Sequence, residues 1–354
     1  QKMADVTFKL NGKEITVPEG TTVLEAAQMV GVDIPTLCYH PALPPDGACR
    51  LCLVEIEKWP TLQTACTTKV TEGMNVFTDT PQVVEARRVI LQLLLAEHRV
   101  ERDTCRKSSG CELAALAKKY GVTETPFLPV RPHYPIEDPN PFIQVDRNAC
   151  IHCWRCARAC TWLNGIETIG VFQRSGDTHM GFGLDSTMED SPCEFCGTCV
   201  AVCPTGALQP KYLLEHDTGG ERTTTRTTCV YCGVGCQIDF HVVDNQIVEA
   251  TADWDTLPNR GLLCVKGRFG FDFVAHPDRL TTPLIRRDGN LVPATWDEAL
   301  DLIGERLGTI KEESGPDAIG VLTSAKCSNE ENYLLQKFGR QVIGTNNVDH
   351  CARL

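Results

Sequence analysis

The stretch Cys150-Ile-His-Cys-Trp-Arg-Cys-Ala-Arg-Ala-Cys160 recurs as Cys193-Glu-Phe-Cys-Gly-Thr-Cys-Val-Ala-Val-Cys203-Pro204. Both copies space their thiols x2, x2, x3. Three such thiolates wrap one 4Fe–4S cube, and the fourth is left to reach elsewhere. Zinc also uses Cys-x2-Cys, but seldom three thiolates at x2-x2 followed by Cys-Pro. Outward from this pair, 18 of the 20 cysteines in 354 residues fall into five spaced groups. Cys38, Cys49, Cys52 and Cys66 make a third complete set, and Cys229, Cys232, Cys236 and Cys264 a fourth. By spacing alone, either could be a zinc site. Cys105 and Cys111 form an incomplete group. Cys327 and Cys351 stand alone and read as buried, unreactive thiols. A chain holding several clusters in a row moves electrons.

Composition narrows the setting. No apolar run approaches the ~18 residues of a membrane span. The N-terminus shows no export signal and no twin arginine. The expectation is a cytoplasmic, reducing location, where cysteines bind metal and do not form disulfides. A net charge of −12 argues against a nucleic-acid partner.

Local patterns supply the elements. Residues 6–17 read as a hairpin turned at Asn11-Gly12. Thr21 or Thr22 caps a helix that Gly31 ends. Thr80 and Pro81 open an amphipathic helix over 81–97. Residues 125–141 hold six prolines in 17 positions and read as a stiff connector. The segment 216–228 reads as a second linker. Thr295-Trp-Asp-Glu298 is a capping box whose helix aligns Leu300, Ile303, Leu307 and Ile310. Residues 318–323 read as a buried strand, and Ser328-Asn-Glu-Glu331 opens a helix ending near Gly344.

These motifs carry resemblances. The paired run from Cys150 to Cys203 is similar to bacterial two-cluster ferredoxins. That likeness implies crossed ligation: Cys203 joins Cys150, Cys153 and Cys156, while Cys160 joins Cys193, Cys196 and Cys199. The Cys38 set, behind a β-grasp hairpin, resembles the 2Fe–2S sites of complex I large subunits and multi-cluster hydrogenases. The same proteins hold a 4Fe–4S cluster by His-x3-Cys-x2-Cys-x5-Cys. His98, Cys105 and Cys111 fit that frame, but Arg102 replaces the first cysteine. A metal-free remnant and a cluster with a substituted ligand, such as Asp103, both stay open. The segments Cys229-Val-Tyr-Cys-Gly-Val-Gly-Cys236 and Cys264-Val-Lys-Gly-Arg-Phe-Gly270 resemble the 4Fe–4S domain of molybdenum or tungsten bis-pyranopterin oxidoreductases. There Lys266 matches the lysine between cluster and pterin, the electron relay.

As a whole, the chain resembles the N-terminal part of the catalytic subunit of cytoplasmic NAD(P)- or ferredoxin-linked formate dehydrogenases. The likeness extends through Ser324-Ala-Lys-Cys-Ser-Asn-Glu-Glu-Asn-Tyr333 and Gly344-Thr-Asn-Asn-Val-Asp-His-Cys-Ala-Arg353. It implies a multidomain α+β iron–sulfur protein. The expected domains are a 2Fe–2S β-grasp domain (1–80), a His/Cys helical segment (81–124), the Pro-rich linker (125–141), a two-cluster ferredoxin domain (142–215), a molybdopterin-oxidoreductase 4Fe–4S domain (222–280) and the start of an α/β pterin-binding catalytic domain (281–354). The implied cofactors are one 2Fe–2S and three 4Fe–4S clusters, with a fourth open at His98, and a molybdenum or tungsten bis-pyranopterin guanine dinucleotide in the full-length enzyme. Electrons from formate oxidation to CO2 would pass from the pterin by Lys266 through the clusters to a flavin/NAD(P)- or ferredoxin-linked subunit. The catalytic metal ligand, selenocysteine or cysteine, would fall at position 355, after Leu354. The expectation is an in-frame UGA codon there and a 354-residue chain inactive on formate. A stand-alone electron carrier and a complex I large-subunit relative are the alternatives.

Overall fold

The computed structural model describes residues 4–98, 110–136, 140–325 and 327–351. They belong to two units that divide between Asp217 and Thr218. Arg102, Asp103, Cys105 and Leu354 lie outside the described residues.

The first unit opens with strands β1 (Asp5–Leu10) and β2 (Lys13–Pro18), paired antiparallel as expected. Both turn residues, Asn11 and Gly12, take the left-handed backbone that a two-residue hairpin needs. Helix α1 (Val23–Met29) starts with a complete capping box between Thr22 and Glu25. Strands β3 (Leu53–Ile56), β4 (Gln63–Thr64) and β5 (Asn75–Phe77) complete a sheet of order β2-β1-β5-β3-β4. Only the β1–β5 pairing is parallel. Phe8, Leu10, Val54 and Val76 bury their sheet face against Val23, Leu24 and Ala27 of α1. Helix α2 (Pro81–Glu97) begins at the Thr80 cap, as the sequence predicts.

Helix α3 (Glu112–Lys119) leads into the proline-rich stretch. That stretch is no free tether. Arg131 is buried and binds the carboxylate of Glu97 and the carbonyl oxygens of Glu97 and Cys150. The ferredoxin-like region is framed by β6 (Ile143–Val145) and β9 (Leu208–Pro210), which pair antiparallel and bring its two ends together. Between them lie α4 (Arg155–Trp162), the hairpin β7 (Ile169–Phe172) and β8 (His179–Phe182), and α5 (Thr198–Val202). Helix α6 (Lys211–His216) closes the unit.

The second unit corrects one expectation at once. Residues 222–228 are not linker but strand β10 (Arg222–Thr228), paired with β11 (Gln237–Val243), which pairs with β12 (Gln246–Thr251). The threonines that look like linker are β-branched and suit a half-wet strand. Helix α7 (Val265–Phe269) follows, then the hairpin β13 (Leu284–Arg287) and β14 (Asn290–Pro293). Helix α8 (Trp296–Ser314) has the expected Thr295–Glu298 capping box. Its apolar stripe is largely uncovered: Leu300, Ile303 and Ile310 are exposed. A second correction concerns 318–323. Only β15 (Val321–Thr323) is strand, and Leu322 is 82% exposed. Among the described residues its one strand partner is β16 (Val348–His350), parallel, in a two-stranded sheet. Helix α9 (Asn329–Lys337) continues as a π-helical turn, Phe338–Ile343, to a left-handed Gly344.

Candidate metal centres

The Cys38 set is built by a hairpin and a loop. Leu53 of β3 pairs with Thr64 of β4, and the Ala65 N–H bonds the Cys52 carbonyl. This sets Cys52 and Cys66 side by side, with sulfurs 3.4 Å apart. Cys38 and Cys49 come from the irregular segment before β3, and all four thiols are buried. Hydrogen bonds from Cys49 and Cys66 hold Cys38 below the ordinary thiol range, and the Arg158 charge adds to this. Contact with Cys38 raises Cys49 and Cys66.

The two ferredoxin-like copies share a backbone device that spacing does not reveal. In the first, His152 and Trp154 have positive φ; in the second, Phe195 and Gly197 do. Such φ values are costly for bulky side chains. They turn equivalent N–H groups onto sulfur: His152 N to Cys150 Sγ at 3.5 Å, and Phe195 N to Cys193 Sγ at 3.4 Å. One cavity is lined by Cys150, Cys153, Cys156 and Cys203 together. Burial pushes the Cys150 thiol up to about 11, and Cys203 adds to the rise. In the other copy, burial first and then the neighbouring sulfurs of Cys196 and Cys160 raise Cys193. Cys199 is raised well above the usual range by burial, then by Cys196, Cys193 and Cys160. The fourth cysteine of each run thus sits with the three of the other. A bound metal would displace the protons of thiols this reluctant to ionise.

The fourth set is more open. Cys229, Cys232 and Cys236 lie on the loop between β10 and β11, closed by the Cys229 N–H to Cys236 carbonyl bond. Cys264 caps α7, and Cys232 and Cys264 are exposed. After burial, the other three sulfurs together raise Cys236. Lys266, on α7, lines a 220 Å³ cavity with Cys229 and Tyr231. Cys327 lines a separate space with Cys229 and Cys232. Cys351 is exposed, contrary to its expected burial, and contacts with Ser324 and Ala325 lower its pKa.

His98 ends α2, and its Nδ1 lies 2.9 Å from the Ala149 carbonyl oxygen. A carbonyl only accepts, so Nδ1 carries the proton. Cys111 stands at the start of α3, where the Glu112 N–H bonds the Pro204 carbonyl. Both therefore adjoin the backbone of the Cys150 and Cys203 site, while Cys105 lies outside the described residues.

The residues fit iron–sulfur groups. Each complete set offers only thiols, and the first three sets hold them largely out of water. A ring of thiols around a cavity suits a larger inorganic core better than one zinc ion. Cysteine spacing did not disclose the arginines. Arg155 is buried between the Cys153 and Cys156 positions and binds Glu112 through both carboxylate oxygens, at 2.8 and 3.0 Å. Arg158 and Arg131 bind carbonyls of cysteine residues.

Domain families match along the whole chain. A 2Fe–2S iron–sulfur cluster binding domain matches residues 3–81, and the NADH-ubiquinone oxidoreductase-G iron–sulfur binding region matches 87–126. The ferredoxin-like domain of NADH-quinone oxidoreductase subunit 3 matches 140–209. The molybdopterin oxidoreductase Fe4S4 domain matches 222–276, and the molybdopterin oxidoreductase domain 279–354. A G-type NADH-quinone oxidoreductase subunit of Rhizobium meliloti is 38% identical over 98% of the chain. The NADPH-Fe(3+) oxidoreductase subunit alpha of Geobacter sulfurreducens is 36% identical over 99%. A Staphylococcus aureus protein provisionally named a formate dehydrogenase is 32% identical over 97%. The chain spans about 40% of the length of these relatives. Among solved structures, an NAD+-reducing [NiFe]-hydrogenase chain is 33% identical with a TM-score of 0.54, over 59% of this chain and 88% of that one. No helix among the described residues is long and apolar enough to cross a membrane.

Proposed function

We propose that this chain, which belongs to the iron–sulfur region shared by G-type NADH-quinone oxidoreductase subunits and molybdopterin oxidoreductases, is the electron-transfer portion of a formate dehydrogenase catalytic subunit. The carrying observation is the order of four all-thiol sets that ends in the Cys229 loop, with Lys266 on α7 beside it. Bound iron–sulfur clusters take up and release single electrons without breaking bonds. This chain's residues supply the rest. Cys38, Cys49, Cys52 and Cys66 hold a 2Fe–2S group. Cys150, Cys153, Cys156 and Cys203 hold one 4Fe–4S group; Cys193, Cys196, Cys199 and Cys160 hold another. Cys229, Cys232, Cys236 and Cys264 hold the last, bordered by the Lys266 cation. Leu37, Leu51 and Ile151 exclude water between the first two sites. A molybdenum or tungsten pterin, formate as donor, and a flavin/NAD(P)- or ferredoxin-linked partner belong to the same reading.

The 38% identity to the Rhizobium meliloti NADH-quinone oxidoreductase protein favours a second reading, an NADH-linked subunit of the complex I type. The full-length subunit, purified anaerobically with its natural partners, separates them. Under the first reading, formate reduces the clusters, as seen by electron paramagnetic resonance. Reduction by NADH with no response to formate would establish the second.

A further inference from the structure

The guanidinium of Arg158 joins two of the proposed cluster sites. Nη2 donates to the carbonyl oxygen of Cys38 at 2.5 Å and to that of Cys153 at 3.2 Å. Nη1 donates to the Pro44 carbonyl at 2.5 Å, in the loop between Cys38 and Cys49. Because one nitrogen serves both cysteines, their carbonyl oxygens are at most 5.7 Å apart, the sum of the two bonds. Cys38, Cys49, Ile151 and Cys153 also share one apolar core with Leu37 and Leu51. The bond therefore crosses the seam between the β-grasp loop and the ferredoxin-like loop. Arg158 Nε is buried and has no acceptor among the described residues, so one further N–H donor stays uncommitted.

We propose that Arg158 is a positioning residue for electron exchange: it fixes the spacing of the 2Fe–2S group at Cys38 and the 4Fe–4S group at Cys150, and its charge favours their reduced forms. The inference rests on the cluster assignment above. The reasoning is geometric and electrostatic. Electron exchange depends steeply on separation, and the planar guanidinium holds three carbonyls at once, Pro44 through Nη1 and both cysteines through Nη2, in a fixed geometry that an ammonium on a flexible stem does not impose. Reduction adds negative charge, so a neighbouring cation stabilises the reduced state. A unit charge within about 12 Å, at an effective dielectric near 20, biases such an equilibrium about tenfold. For a one-electron couple that is about 59 mV. Arg158 itself takes up no electron and breaks no bond.

The test compares wild type with Arg158→Gln and Arg158→Lys, all loaded with clusters anaerobically. The readouts are iron per chain, the 2Fe–2S midpoint potential, and the spin relaxation of the reduced 2Fe–2S signal, which a nearby paramagnet accelerates. Wild-type iron content tests the cluster assignment by itself. Arg158→Gln should lower the midpoint by about a tenfold shift and slow the relaxation. Arg158→Lys keeps the charge and loses the fork, so its midpoint should stay near wild type while its relaxation slows. Full iron content in Arg158→Gln with wild-type midpoint and relaxation would overturn the inference. So would iron loss spread evenly over all sites in both variants, which marks a general folding role. If Arg158→Gln does not fold, unchanged relaxation in Arg158→Lys overturns it.

Discussion

Glu112→Ala should do more harm than removing its partner. Arg155 has a side chain only 6% exposed, while that of Glu112 is 40% exposed. The two bonds to Glu112 are the main ones to the guanidinium, with a weaker third to the Val202 carbonyl at 3.4 Å. Deleting one member of a fully buried pair costs about 3–5 kcal/mol. Water reaches Glu112, so we take about 2 kcal/mol here. That equals about a 30-fold rise in local opening. Glu112→Gln keeps a neutral acceptor and should cost about half as much. Arg155→Met removes the buried charge and leaves a carboxylate that water can solvate, so its effect should stay below about threefold. The decisive variant is the double one: with Arg155→Met in place, Glu112→Ala should add little. A chain with several cofactor sites does not unfold in two states, so a global melting point is a poor readout. Amide hydrogen exchange across α4 and α5, on protein of verified iron content, reads the opening directly. Equal effects of the two single changes, or no relief in the double variant, would refute the reasoning.

Crossed ligation has its own signature: Cys203→Ser should remove the relaxation effect on the 2Fe–2S signal, because Cys203 shares a cavity with Cys150 and Cys153, and Cys160→Ser should leave that effect in place. The reverse pattern would mean that each four-cysteine run closes on its own cluster. His241 sits between Thr224 and Thr251 in the β10–β12 sheet, and burial lowers its pKa from 6.5. Its neutral form is thus favoured by folding, so stability is fully present above pH 6.5 and is lost as pH falls toward the folded value. Exchange protection in β10–β12 should fall from pH 7.5 to 5.5 in wild type and change less in His241→Asn.

What the sequence reveals is what lies close along the chain. The caps at Thr22, Thr80, Thr295 and Ser328 each accept a backbone N–H three residues on, so four letters suffice to see them. Asn11-Gly12 fixes its hairpin for the same reason. The cysteines proposed as ligands are legible because cluster geometry dictates spacing. Their supporting arginines are not. Arg131 reaches Glu97 across 34 positions, Arg155 reaches Glu112 across 43, and Arg158 reaches Pro44 across 114. Nothing local marks them, and two of the three, Arg155 and Arg158, fall at spacer positions between the cysteines of the motif. Strand β10 was obscured differently: its alternation is polar on both faces, so hydrophobic period carries no signal there.

These arginines and the strained turns answer one electrostatic demand. Four thiolates with their iron and sulfide leave a net negative group, and burying it without compensation is costly. The ferredoxin-like loops contribute peptide N–H groups, with His152 and Phe195 taking left-handed backbone to aim them at Cys150 and Cys193. Such backbone costs on the order of 1–3 kcal/mol per residue, so something must hold it. Carbonyls of the first ferredoxin-like loop find partners in guanidinium groups, Arg131 on Cys150 and Arg158 on Cys153, and Arg158 also binds the Cys38 carbonyl of the β-grasp loop. At Cys150 the peptide carbonyl is gripped from outside by Arg131 while the N–H of His152 points its positive end at the sulfur. An arginine that bound a thiolate directly would add charge but leave the carbonyls unpaired. Binding the carbonyls supplies the positive field and holds the strained turn at His152 in one arrangement.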